Sequence, residues 1–137
     1  MATISPADLR KVAKARLADA EQLFDTGRFD GAIYLCGYVI EMALKARIWK
    51  HLKWSGFPQG EGDWSSHHKV YKKHDFEFLL EFTGCKAKIM SHVQHKIDWS
   101  LVNKEWSPDL RYVSPGVTTP ALAQSMIEAT KRLLKAI

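Results

Sequence analysis

The 137-residue sequence predicts an all-α fold, an up-and-down bundle of four to five helices. Three observations carry that prediction. Apolar residues recur at helical spacing in several long stretches. Two of those stretches open on a capping residue followed by proline, Ser5-Pro6 and Thr119-Pro120. No stretch reads convincingly as a strand.

The first helix starts at Ser5, with Pro6 at the first helical position and Asp8 where a capping-box acid sits. Leu9, Val12, Ala13, Leu17, Ala20, Leu23 and Phe24 form its apolar stripe, and Gly27 supplies the stop. The second helix begins near Asp30 and runs to His51 or Leu52. Its first half is apolar nearly all round, which marks the buried central helix. Gly37 within it predicts the close passage of another backbone. Asp75 caps a short third helix carrying Phe76, Leu79, Leu80 and Thr83, ended by Gly84. A fourth helix is expected to place Ile89, Val93, Ile97 and Leu101 on one face, at a spacing of four. An irregular link from Asn103 to Thr118 leads to the last helix, with Leu122, Met126, Ile127, Leu133 and Leu134 as its stripe.

One domain over residues 1–137 is expected, with a flexible loop at about residues 53–74, where Gly56, Pro58, Gly60 and Gly62 break the periodicity. Hydrophobic residues make up 46% and charged residues 26%, ordinary for a soluble globular protein. Folding of a chain this long buries roughly two-thirds of its unfolded surface. No stretch approaches the ~20 apolar residues that span a bilayer. The N-terminus lacks a basic segment followed by an apolar one, which predicts against secretion. Two cysteines, Cys36 and Cys85, cannot make a zinc site alone. A reduced, cytoplasmic protein is expected.

The charge surplus of +5 has a location. Residues 51–74 hold four lysines against two acids. Within them Lys69, Tyr71, Lys72, Lys73 and His74 interleave base and aromatic, a pattern suited to phosphate contacts and base stacking. A loop that is basic by chance is the bland alternative. Glu41 follows the apolar run and stands four residues before Lys45, so the two can pair along one face. A charge at that position needs a partner or a cleft, although an exposed helix pair of small energy would look the same. Arg111, in Asp109-Leu110-Arg111-Tyr112, can aim its planar fork at phosphate or carboxylate, or hold the link down by an ion pair. Trp106 reads more as core than as a platform for a base. His92 and His95 lie three apart, but no acid-rich partner set accompanies them, so no metal site is expected. No nucleophile elbow, phosphate-binding glycine loop or dinucleotide fingerprint is present, and no cofactor is expected.

The stretch from Gly27 to Lys45, GRFDGAIYLCGYVIEMALK, resembles the second-helix signature of HEPN domains. Lys73-His74-Asp75-Phe76-Glu77-Phe78-Leu79-Leu80 and Leu110-Arg111-Tyr112 match later parts of that family in the right order. The resemblance, to the small prokaryotic stand-alone type, implies a HEPN-like bundle that commonly dimerises and is associated with nucleotides and RNA. By motif, it implies that Glu41, Lys45, Arg111 and Tyr112 line or support a phosphate-binding cleft, with His74 near a helix mouth. It also implies a homodimer, a nucleotide or RNA ligand, and a small nucleotidyltransferase as partner in a toxin–antitoxin or mobile-element module.

The ribonuclease branch of that family uses an arginine followed by a histidine after four to six intervening residues. Here Arg47 precedes His51 with three between, and no histidine follows Arg111. A non-catalytic nucleotide- or RNA-associated protein is therefore the leading expectation. The alternatives are a divergent metal-independent endoribonuclease using Arg111 with His74, and a protein-interaction module without catalysis.

Overall fold

A computed structural model describes residues 3–53, 57–58 and 74–137. The described chain is all-α but for one short pairing. Its helices are α1 (Pro6–Asp25), α2 (Phe29–His51), α3 (Phe76–Glu81), α4 (Lys86–Ser91), α5 (Val93–Glu105) and α6 (Pro120–Ala136). A 3₁₀ helix (Pro108–Tyr112) lies in the link before α6. Strands β1 (Thr3–Ile4) and β2 (Phe57–Pro58) pair antiparallel, Thr3 opposite Pro58. The flexible-loop expectation, and with it Lys69, Tyr71, Lys72 and Lys73, falls almost wholly outside the described residues.

The caps act as their chemistry dictates. Ser5 Oγ accepts the Asp8 amide at 3.0 Å, Asp75 Oδ1 the Phe78 amide at 3.2 Å, and Thr119 Oγ1 the Leu122 amide at 3.1 Å. Gly27 ends α1 at φ +79°, and the Arg28 amide returns to the Leu23 carbonyl at 2.7 Å. So tight a turn lays α2 back along α1.

α2 is the central element, with thirteen of its 23 residues buried. It packs against α1, α3 and α6, and α6 in turn packs against α5. Apolar burial on every side is what an all-round apolar helix requires. Gly37 makes room for a side chain rather than the backbone expected there. A Cβ at that position would lie 1.8 Å from Cε2 of the Trp106 indole. Trp106 is core, as read: it stacks on Phe76 with centroids 4.9 Å apart and donates Nε1–H to the Tyr34 carbonyl at 3.0 Å.

The fourth helix departs from its expected form. His92 takes an extended conformation (φ −95°, ψ 119°) and separates α4 from α5. Its Nδ1 accepts the His95 amide at 3.3 Å and so caps α5. The break shifts the phase of the helix. Val93 and Ile97 are 76% and 57% exposed, while Asp98, Trp99 and Val102 turn inward. Asp98, only 2% exposed, decides that phase. Arg132 of α6 donates to both its oxygens, from Nε at 2.7 Å and Nη2 at 2.9 Å.

Candidate functional site

Two groups of charged residues lie along α2, one at its start and one just past its middle. Toward its C-terminal half, Glu41 and Lys45 are both buried, 6% and 7% exposed. Lys45 Nζ lies 3.5 Å from Glu41 Oε2. The other oxygen, Oε1, contacts Nδ1 of His74, which stands just before the Asp75 cap of α3. The pair is therefore a buried ion pair and not an exposed helix pair. Burial pulls the Lys45 ammonium below its ordinary range, and Glu41 opposes that shift. His74 is half-exposed, so the triad opens to solvent on its side only partly.

At the start of α2 lies a cleft of about 660 Å³. Arg28, Asp30 and Tyr34 form one wall; Leu110 and Arg111 of the 3₁₀ helix, with Pro115 and Gly116 of the link, form the other. The Arg111 guanidinium lies 4.9 Å from the centroid of the Tyr112 ring. Hydrogen bonds to Tyr112 and Tyr34 raise its already high pKa further. Among the described residues neither Arg28 nor Arg111 has a carboxylate within ion-pair distance. Asp30 lines the same cleft, but its oxygens accept the backbone amides of Gly116 and Thr118.

Tyr34 and Tyr38 stand between the two groups. Their hydroxyls are 3.1 Å apart and their rings meet edge to face. The Tyr34 hydrogen bond, with burial and the nearby negative charge of Glu41, pushes the Tyr38 phenol up to about 12. Residues 34, 38, 41 and 45 recur at spacings of four, three and four, one face of a helix. A polar seam of these four residues therefore runs along one face of the helix.

The structure thus divides the residues singled out by sequence. Glu41, Lys45 and His74 come together. Arg111 and Tyr112 sit apart from them, across the tyrosine pair. His74 lines a different depression, of about 340 Å³, with Asp75, Phe76, Asn103 and Trp106. Glu41 and Lys45 line neither cleft and support the seam from within. Arg28, Asp30 and Tyr34 were not singled out as cleft residues. Arg28 and Asp30 flank the helix start within the quoted signature, but their meeting with residues some eighty positions later leaves no local pattern. Among the described residues no group of three His, Cys, Asp or Glu side chains could hold a metal ion. No described helix is long and apolar enough to cross a membrane.

The described chain is a helical bundle with a buried ion triad on its central helix and an arginine-walled cleft at that helix's start. The family model of the HEPN domain matches residues 7–55. That span takes in nearly all of α1, the Gly27 turn and all of α2, so the similarity to HEPN domains lies in this helix pair. No curated protein and no solved structure matches the chain.

Proposed function

We propose that this is a nucleotide- or RNA-associated HEPN-type protein that holds phosphate in the cleft between Arg28 and Arg111. One observation carries the reading: two guanidiniums with no carboxylate partner among the described residues line one cleft, beside the Tyr34 ring. A guanidinium presents a planar set of donors that matches phosphate oxygens, and an aromatic wall suits a base or sugar face. The basic segment with Lys69, Tyr71, Lys72 and Lys73 extends the same charge along the chain. The proposal extends to a homodimer, and to a small nucleotidyltransferase as its partner in a toxin–antitoxin or mobile-element module, as the resemblance to HEPN domains implies. A cytoplasmic setting fits two free, buried cysteines.

The test is binding of AMP and of a short single-stranded RNA, followed by fluorescence anisotropy at two salt concentrations. Arg111→Ala is expected to weaken binding about tenfold or more and to flatten its salt dependence. Equal binding by Arg111→Ala and the unaltered chain would reject the cleft.

A second reading, a metal-independent endoribonuclease, has one observation in its favour. Glu41 holds the His74 ring by Nδ1, as an orienting carboxylate holds a general base. His74 and Arg111 line different depressions, so one phosphate would have to reach from one to the other, or the base would come from a second copy. Cleavage of RNA by the purified chain, abolished in His74→Ala, would establish this reading over the first.

A further inference from the structure

Asp30 stands out in the arginine cleft as the wrong sign of charge for an anion site. A carboxylate among groups that hold phosphate repels the ligand unless its charge is engaged elsewhere. Here it is engaged. The Gly116 amide donates to Oδ2 at 2.6 Å and the Thr118 amide to Oδ1 at 3.1 Å. These bonds cross 86 and 88 residues of chain, from the first turn of α2 to the link before α6. Gly116 sits at φ +86°, a conformation that favours glycine. The positive end of the α2 macrodipole also favours a carboxylate in that first turn. The Thr118 side chain and the two amides hold the Asp30 carboxyl below its ordinary range, so it stays charged and keeps these bonds.

The first part of the link is anchored by Trp106 and by the Arg111 hydrogen bond to Tyr34; the part after it is held by neither. Residues 111–117 are all exposed. Among the described residues, the hydrogen bonds from residues 113–118 to α2 all end on Asp30. One carboxylate therefore ties the wall formed by Pro115 and Gly116 to the wall formed by Arg28 and Tyr34. We infer that Asp30 is a positioning residue of the anion cleft, pinning Pro115 and Gly116 to the start of α2 so that they close the cleft lined by Arg28 and Arg111. This inference rests on the phosphate-holding reading of that cleft.

The sign of one substitution separates this role from that of a bystander. A bystander carboxylate beside an anion site only repels, so Asp30→Asn would tighten binding. A positioning carboxylate loses one of its two acceptor oxygens in Asp30→Asn and both in Asp30→Ala, so binding weakens in that order. The full-length chain and both variants are titrated with inorganic phosphate and with AMP by NMR, and the Gly116 and Thr118 amides are followed by hydrogen exchange. Expected is a loss of affinity of about two- to threefold in Asp30→Asn and about tenfold in Asp30→Ala, as preorganisation is removed. Faster exchange at the two amides should accompany that loss, with the remaining helices unchanged. Tighter binding in Asp30→Asn overturns the inference, as does unaltered affinity in Asp30→Ala. If the unaltered chain binds neither phosphate nor AMP, the cleft reading fails and the positioning role with it. Should Asp30→Ala not fold, the direction of change in Asp30→Asn decides alone.

Discussion

The two ends of α2 carry charge under opposite conditions. At its start, Arg28, Asp30 and Arg111 meet water, and the two arginines lack carboxylate partners among the described residues. In its C-terminal half, Glu41 and Lys45 are buried and each has its charge answered. Exposed groups give up little hydration and remain free to meet a ligand. Buried ones have given theirs up on folding and must stay paired. The same helix thus separates a face available for recognition from a joint that holds α2 to the start of α3.

That contrast predicts a steep gradient of stability along the helix. The largest effect belongs to the buried end. Glu41→Ala leaves the Lys45 ammonium without its carboxylate and is expected to cost about 3–5 kcal/mol, read by chemical denaturation. Gly37→Ala, between the two ends, drives a methyl into the Trp106 indole and is expected to cost about 1–3 kcal/mol with a blue- or red-shifted tryptophan emission. Arg111→Ala, at the exposed end, should leave stability within about 0.5 kcal/mol while anion affinity falls. An Arg111→Ala chain as unstable as Glu41→Ala would erase the distinction.

The smallest effects are in pH. Asp30 has a folded-state pKa below its ordinary 3.8, so its contribution is present above that value. It fades as pH falls through the lowered pKa, and the Gly116 and Thr118 amides should lose protection in that acid window first. His95 acts in the same sense at higher pH. Burial, and then His92 stacked 3.9 Å away, lower its pKa below 6.5, with Lys88 and Arg132 adding to the shift and Asp98 opposing it. The unfolded chain therefore binds this proton more readily, and stability declines as pH drops from about 6.5 through the lowered value. His95→Gln should flatten that decline in a melting series between pH 7 and pH 5.

Much of the fold is legible in sequence because its causes are local. Ser5, Asp75 and Thr119 cap helices whose amides lie three residues ahead, and Gly27 takes the left-handed turn that a helix end favours. The pairing of Glu41 with Lys45 is legible for the same reason, one helical turn apart. The burial of that pair is not, because it depends on α3 and its His74 arriving from 33 residues away. The break at His92 is equally hidden. Four apolar residues at a spacing of four read as one inward stripe until Arg132 claims Asp98 and rotates α5.

By itself, then, the sequence determined an all-α chain, its helix starts and stops, its central helix and the positions where charge enters that helix. Periodicity, caps and turn glycines act within a few residues and need no partner. Only the tertiary structure decided which charges are buried and which face the cleft. It brought Asp30 to Gly116 and Thr118, and Trp106 to Gly37. Those outcomes depend on which surfaces meet once the helices pack. The desolvation that separates a buried ion pair from an open anion site exists only after they have met.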